Sequence, residues 1–288
     1  MSLKEWFEKA QKENFAVGAF NIDNLEIFKA VCVSAKNKKS PVILQFSPGE
    51  VGYFGMSNIV DLVKNAREEL GIPVFLNLDH SKKAEDCMKA IETGAFEMVH
   101  FDGSDLDIIE NIKLTQQLVE VAHKKNVILE GELDKFSGTS EVHDQSLDLD
   151  AVRQSYTDPK NALRFVTESG VDIFAPAFGN VNGVFPNQPD LDIDLLVKIR
   201  EVMPVTMFSL HGASGIPATE VRVAIQKGKI VKVNVNTELR QVYRDSISGR
   251  IDEEKAEFKY YDVAKDVVLA ICAVVEGKID VFGSANRN

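Results

Sequence analysis

Short apolar runs alternate with longer amphipathic, charge-rich segments along nearly the whole chain. The apolar runs predict eight β-strands, at 16–22, 41–47, 73–79, 98–102, 126–133, 173–179, 205–212 and 230–237. The spacing between them predicts helices such as 57–70, 83–94, 107–124, 159–169 and 217–227, with a closing helix at 259–276. Repeated strand–helix alternation is typical of a TIM (β/α)8 barrel, an α/β fold. We therefore expect a single-domain barrel over residues 1–288.

A doubly wound open sheet is the rival fold for such alternation. No Gly-x-Gly-x-x-Gly segment follows the first strand, so the sequence lacks the phosphate-binding motif that is typical of a doubly wound dinucleotide-binding fold. One connection breaks the regular spacing, the polar segment 134–158 between the fifth strand and its helix. A long loop at this face of a barrel indicates a lid or a mobile loop that carries an acid or base. The alternative is a plain surface insertion.

Polar residues recur in one register near the ends of the predicted strands. Side chains at i and i+2 share a strand face, and a buried polar side chain is costly unless it serves a site. The pairs are Asn77 and Asp79, His100 and Asp102, Glu130 and Glu132, Ser209 and His211, and Asn234 and Asn236, while Asn21 and Ser47 end the first two strands. A single such residue is explained by a helix cap or a satisfied core contact. Seven strands with polar ends indicate an active site at the carboxyl-terminal face.

Composition narrows the class of protein. The net charge of -11 argues against a nucleic-acid partner, which needs a basic face. No apolar run approaches 18 residues, so neither a membrane span nor a membrane partner is expected. Three widely spaced cysteines form no zinc-ribbon or disulfide pattern, which favours the cytoplasm.

Two kinds of ligand site follow from the ends of the strands. His80 and His211 come from distant strands, and imidazoles beside carboxylates are suited to zinc or a similar divalent ion. The segments 212–215 and 234–237 follow the last two strands and consist of small or amide residues. Backbone amides at this position of a TIM barrel frequently bind phosphate.

Several stretches carry a family resemblance when they are taken together and in order. They are AVGAFNIDNLE at 16–26, PVILQFSPG at 41–49, LNLDH at 76–80, FDGS at 101–104, EGEL at 130–133, YTDPKNALRFV at 156–166, LHGASGIP at 210–217, KVNVNTELR at 232–240 and FGSANR at 282–287. The chain resembles class II fructose- and tagatose-bisphosphate aldolases. The resemblance implies cleavage of a ketose 1,6-bisphosphate to dihydroxyacetone phosphate and glyceraldehyde 3-phosphate. Fructose 1,6-bisphosphate is the first expected substrate and tagatose 1,6-bisphosphate the second.

The resemblance also implies cofactors, partners and residue roles. Zinc or another divalent ion is expected on His80 and His211, with an alternative metal position at Asp102 and Glu132 and a monovalent cation as a further cofactor. Asp79 is the expected acid/base at the C4 hydroxyl, and Asn234 contacts the enediolate. The expected substrate-binding residues are Asn21, Ser47, Gly183, Gly212, Ser214, Asn234, Asn236 and Thr237. Sugar phosphates are the expected small-molecule partners, and the family is usually a homodimer or homotetramer.

The sequence departs from the family pattern at two places. The third zinc ligand of the family is a histidine in a Gly-Asn-Val-His-Gly segment, and Asn182 stands there instead. Its carboxamide makes Asn182 a poor zinc ligand. Many members carry adjacent acidic residues in the long loop, whereas this chain has Glu141 alone, which we expect to act as the loop acid.

Two alternatives to a metal-dependent aldolase remain open from the sequence. A non-catalytic paralogue would keep the fold and bind a phosphorylated sugar or a partner protein, and Asn182 is its main support. A Schiff-base aldolase would use Lys232, since burial can lower the pKa of a lysine enough to make it a nucleophile. Such a lysine more often pairs with a carboxylate, here Glu130. Borohydride trapping and chelator inhibition separate the two chemistries.

Overall fold

The computed structural model describes residues 1–253 and 257–287. Within these ranges ten strands form. They are β1 (Val17–Asn21), β2 (Val42–Phe46), β3 (Val74–Ser81), β4 (Met98–Asp102), β5 (Ile128–Glu132), β6 (Gly138–Val142), β7 (Ile173–Ala175), β8 (Asn182–Val184), β9 (Met207–Leu210) and β10 (Ile230–Val235). Eight of them close into a parallel barrel in the order β1-β10-β9-β7-β5-β4-β3-β2, and β6 pairs with β8 outside it. The predicted TIM barrel is confirmed.

Helices alternate with the strands. They are α1 (Leu3–Glu13), α2 (Leu25–Lys38), α3 (Pro48–Phe54), α4 (Met56–Leu70), α5 (Ala84–Thr93), α6 (Ile108–Lys124), α7 (Leu149–Gln154), α8 (Pro159–Ser169), α9 (Ile193–Val202), α10 (Ala218–Gly228), α11 (Thr237–Glu253) and α12 (Tyr260–Phe282). No helix in the described ranges is both long enough and apolar enough to cross a bilayer.

The first helix closes the bottom of the barrel. Its N-terminus is fixed by Ser2, which accepts a hydrogen bond from the backbone N–H of Glu5. Its buried face, with Leu3, Trp6 and Phe7, packs against apolar side chains inside the amino-terminal half of the barrel. The apolar bottom layer excludes water from below. The polar interior residues therefore meet at the opposite, carboxyl-terminal end.

The structure corrects three boundaries. The sixth barrel strand ends at Ala175 rather than at 179, because Pro176 has no N–H to donate. The segment 134–158 is not a plain loop, since it contains β6 and α7. The closing helix extends to Phe282.

Candidate active site

Strand β3 brings two consecutive residues, Asp79 and His80, to the same cavity. Consecutive side chains of a regular strand point to opposite faces. Here the pairing with β4 shifts register between Leu78 and Ser81, and His80 adopts a positive φ of 48°. Such a bulge re-aims side chains, and a left-handed residue other than glycine is uncommon and concentrated at functional sites. The irregularity therefore serves the site.

Three histidines from different strands form a compact group. The ring centroids of His80 and His100 lie 4.6 Å apart, those of His80 and His211 also 4.6 Å, and those of His100 and His211 4.9 Å. His80 Nε2 lies 2.7 Å from His211 Nδ1. The other nitrogen of His80, Nδ1, lies 3.6 Å from Asp102 Oδ2 and 3.5 Å from Glu132 Oε2. The sequence paired His100 with Asp102 on one strand face, and the fold places His100 beside both predicted metal ligands, His80 and His211.

His211 is held by a buried carboxylate. Its Nε2 donates to Glu130 Oε1 at 2.7 Å, and Glu130 Oε2 accepts from Lys232 Nζ at 2.7 Å, with all three side chains buried. Burial lowers the pKa of His211 to about 3 although Glu130 opposes this, so the ring is neutral. Because a carboxylate only accepts hydrogen bonds, the neutral ring keeps its proton on Nε2 and presents the Nδ1 lone pair to His80.

Lys232 forms a buried ion pair with Glu130, which was the alternative to a role as Schiff-base nucleophile. Its ammonium is fully buried and paired with Glu130, as expected from their shared interior position. It does not line the cavities at this end of the barrel. Burial raises the pKa of Glu130, but Lys232, His100 and His211 outweigh burial and hold it well below the usual range. The lysine is therefore the counter-ion of a carboxylate that orients His211.

Asp79 lies between two amides. Asn21 Nδ2 donates to Asp79 Oδ2 at 3.2 Å, and Asn234 Nδ2 donates to Asp79 Oδ1 at 3.1 Å. Gln45 in turn donates to Asn21 Oδ1 at 2.7 Å, which fixes the orientation of that amide. Burial raises the pKa of Asp79, but the neighbouring charges of His80 and other basic groups outweigh burial and hold it well below the usual range. Asp79 is a fixed, ionised carboxylate.

Two adjoining cavities open at this end of the barrel and share Asp79, His80, Ser140, Asn182 and Asn236. The larger has a volume of about 520 Å³ and includes Ser47, Asp102 and Glu132. The smaller is lined by the remaining residues expected to bind substrate, namely Asn21, Gly183, Gly212, Ser214, Asn234, Asn236 and Thr237. The fold thus brings together all the expected substrate-binding positions.

Glycine is required where two loops meet at the smaller cavity. Gly212 has φ +63°, and a Cβ there would lie 2.1 Å from the carbonyl oxygen of Val181. Gly183 has φ +104°, and a Cβ there would lie 2.3 Å from the carbonyl oxygen of Thr139. Strand β8 therefore packs backbone against backbone on β6, as does the loop after β9 on the loop after β7, and a side chain at either glycine would prevent this.

Two of the residues predicted for the site need separate comment. Glu141 lies in β6, is exposed, and lines neither cavity, so the structure does not bring it to Asp79. Its catalytic role stays a prediction. Asn182 lines both cavities from β8, and its backbone N–H donates to Ser137.

Sequence reasoning missed a basic rim on the larger cavity. Lys82, Lys83, Lys135 and Arg240 all line it. Lys82 and Lys135 both pair with the exposed carboxylate of Asp105. The signal was present as Lys-Lys directly after the third strand, but the overall acidic charge concealed it. The same cavity is lined by Asp79, Asp86, Asp102 and Glu132, so it is not positive overall, but its basic side chains are suited to contact an anionic group of a ligand.

A third cavity, of about 960 Å³, lies at the amino-terminal end of the barrel, opposite the two cavities described above and beside the N-terminus of α1. Four of the ionisable side chains that line it are paired with one another. His123 pairs with Asp172 at 3.0 Å and Arg67 with Glu97 at 2.6 Å. We therefore assign the chemistry to the carboxyl-terminal end, where buried polar atoms converge.

The donor atoms at the carboxyl-terminal end fit a divalent metal ion. One donor atom from each of Asp79, His80, His100 and His211 lies within 4.8 Å of the other three, and His80 also groups with Asp102 and Glu132. Glu132 Oε2 is buried without a hydrogen-bond partner in the described part of the chain. Imidazole nitrogens with carboxylate oxygens are ligands of zinc and similar ions, and an unpaired buried carboxylate oxygen is costly without a cation.

Comparison with known proteins agrees with this geometry. The family model described as "Fructose-bisphosphate aldolase class-II" matches residues 1–287. A fructose-bisphosphate aldolase of Streptococcus pneumoniae is 35% identical over 100% of this chain and 99% of its own length. A 6-phospho-5-dehydro-2-deoxy-D-gluconate aldolase of Shouchella clausii is 35% identical over 96% of this chain and 92% of its own. The crystal structure of the YdjI aldolase from Escherichia coli superposes with a TM-score of 0.84 at 28% identity, over 99% and 98% of the two chains.

Proposed function

Because the chain belongs to the class II fructose-bisphosphate aldolase family and is a carbon–carbon lyase, we propose that it cleaves fructose 1,6-bisphosphate in a metal-dependent reaction. The products are dihydroxyacetone phosphate and glyceraldehyde 3-phosphate. The observation that carries the proposal is the ionised Asp79, held by Asn21 and Asn234 where the two cavities meet. A base at this junction can reach the middle of a substrate whose ends occupy the two cavities.

The proton transfers follow from the environment of Asp79. Its carboxylate removes the proton of the C4 hydroxyl as the C3–C4 bond breaks, and the bonding electrons remain on the dihydroxyacetone phosphate half as an enediolate. The enediolate then takes up a proton at C3 to give dihydroxyacetone phosphate, the step for which Glu141 is the expected loop acid. Asn234 donates to Asp79 and adjoins His211 Nδ1 at 3.3 Å, so its amide is placed to contact the developing negative charge. General base catalysis of this kind contributes about 10²–10⁴-fold to the rate.

The two phosphates are recognised at opposite ends of the site. The phosphate of the ketone half binds among Gly183, Gly212, Ser214 and Thr237, where backbone amides and the N-terminus of α11 favour an anion. The phosphate of the aldehyde half binds at the basic rim with Lys82 and Lys135. Ser47, on the wall of the larger cavity, is assigned to the substrate carbonyl.

A divalent ion, with zinc the first candidate, would be held by His80, His211 and the carboxylates beside them. When bound it supplies Lewis-acid polarisation of the ketone oxygen, worth several kcal/mol in such enzymes. The protein contributes the orientation of its ligands, since Glu130 fixes the tautomer of His211. These interactions support an active enzyme rather than a non-catalytic paralogue.

The test is cleavage of fructose 1,6-bisphosphate, measured by coupling triose phosphate formation to NADH oxidation. We expect activity that is abolished by a chelator and restored by a divalent ion. Asp79→Asn should lower kcat by about 10²–10⁴-fold, with a much smaller change in KM. Full activity after rigorous metal removal would contradict metal dependence. Absence of cleavage by metal-loaded protein would contradict the proposed substrate, and tagatose 1,6-bisphosphate is the comparison to run beside it.

A further inference from the structure

Glu50 is a buried carboxylate beside the site that the proposed mechanism does not use. It lies in the first turn of α3 and is only 4% exposed. Burial raises the pKa of Glu50 to about 7 against the opposing effects of the Ser47 N–H and the Arg240 charge, so a carboxylate is costly to keep at this position. A buried ionisable group that is held at such a cost needs a compensating role.

Helix capping alone does not account for the burial of Glu50. The backbone N–H of Ser47 donates to Glu50 Oε2 at 2.5 Å, as in a capping box. The same contact occurs at α1, where the backbone N–H of Ser2 donates to Glu5 Oε2 at 2.6 Å. Glu5, however, is exposed. A capping glutamate can therefore stay in water, and the burial of Glu50 follows from its other contacts.

The other contacts of Glu50 join two walls of the site. Asn21 Nδ2, at the end of β1, donates to Glu50 Oε2 at 3.3 Å and to Asp79 Oδ2 at 3.2 Å. Both hydrogens of this amide are therefore committed, one to the general base and one to Glu50. Arg240 Nη2, from α11, donates to Glu50 Oε1 at 2.9 Å and to Asp23 Oδ1 at 3.0 Å. Glu50 thus holds the guanidinium at the wall of the larger cavity, which Arg240 lines.

We propose that Glu50 is a positioning residue of the reaction, which holds the Asn21 amide on Asp79 and the Arg240 guanidinium at the larger cavity. The inference rests on the proposed function, in which Asp79 is the general base and the larger cavity takes the aldehyde half of the substrate. Glu50 lines neither of the two cavities that form the site, so it acts through other side chains. Its effect on the base passes through one amide, and its effect on substrate affinity passes through one guanidinium.

Two variants separate these effects from capping. Glu50→Gln keeps an oxygen that can accept from the Ser47 N–H, because glutamine also serves in a capping box, but it removes the charge that pairs with Arg240. We expect KM for fructose 1,6-bisphosphate to rise about three- to tenfold, while kcat changes less than about twofold. Glu50→Ala also removes the acceptor for Asn21, so kcat should fall at least about tenfold in addition. Glu5→Gln is the matched control at the other capping box and should leave both constants unchanged.

A role of Glu50 in folding alone predicts a different result. A loss of folded protein would lower kcat and leave KM unchanged. An action through Arg240 predicts that Glu50→Gln raises KM in the parent protein and not in an Arg240→Met background, so the two changes should not add. An equal rise of KM in both backgrounds, or the parental KM in Glu50→Gln, would overturn the inference.

Crystal structures of the parent and of Glu50→Gln test the positioning without turnover. We expect the Arg240 guanidinium to leave its place beside residue 50, because its remaining partner, Asp23, lies on the exposed side. A guanidinium that stays in place would overturn the inference. Displacement of Arg240 in the variant, together with a metal-loaded parent that does not cleave fructose 1,6-bisphosphate, would refute the proposed substrate alone. Cleavage by the parent, together with an unmoved Arg240 in the variant, would refute the inference alone.

Discussion

Lys232→Met removes the buried ammonium and tests how much the Lys232–Glu130 ion pair contributes to the free energy of unfolding. Lys232 Nζ lies 2.7 Å from Glu130 Oε2, and both side chains are 0% exposed. At an effective dielectric constant of about 20, the attraction lost at that separation is about 6 kcal/mol. The methionine replaces the apolar stem, and Glu130 keeps hydrogen bonds from Ser209 and His211, which offset part of the loss. Breaking one partner of a buried pair typically costs about 3–5 kcal/mol, and we expect a value in that range.

The assay is urea unfolding followed by circular dichroism, with a chelator present so that metal binding does not contribute. In a thermal unfolding experiment under the same conditions, a loss of this size should lower Tm by about 10 °C for a chain of this length. Adding Glu130→Gln to Lys232→Met removes the buried charge and should recover part of the loss, so the two changes should not add.

Lys38→Met is the matched control. Lys38 Nζ lies at the same 2.7 Å from Asp280, but these side chains are 26% and 49% exposed. Water screens this pair, so its removal should leave the denaturation midpoint unchanged within error. If the two lysine variants lose equal stability, or if Lys232→Met loses less than about 1 kcal/mol, burial does not govern the strength of the buried pair and the reasoning is wrong.

Three further outcomes are expected. Ser214→Asp should raise KM for the bisphosphate at least about tenfold. The new carboxylate and the substrate phosphate, about 4 Å apart at a dielectric constant of about 20, repel by about 4 kcal/mol. An unchanged KM would place the phosphate elsewhere. Gly212→Ala should lose about 1–3 kcal/mol of stability in urea unfolding, since glycine φ there is +63° and Val181 leaves no space, whereas Gly249→Ala, with nothing within 4 Å, should be neutral or stabilising. Lys135→Ala should raise KM about three- to tenfold at low salt and less at high salt, and a salt-independent KM would remove the basic rim from substrate binding.

The sequence determined the fold and most of the positions in the site. Its strand and helix periodicities are local properties, and eight repeats leave few other ways to bury the apolar faces. Polar residues at the strand ends were identifiable because a barrel strand is buried on both faces, where polar groups are costly without a function. The pairing of Lys232 with Glu130 followed from the same reasoning and is seen in the structure.

The tertiary structure determines which side chains of different strands meet in the site, and the alternation of residues along a single strand does not determine this. Asp79 and His80 point to one cavity only because the pairing of β3 with β4 slips and His80 takes a positive φ. His100 joins His80 and His211 because barrel closure sets the distance between side chains of different strands, which no spacing along the chain encodes. The exposed position of Glu141 likewise depends on how β6 pairs with β8. Local propensity fixes which elements form, and register between elements fixes which side chains meet.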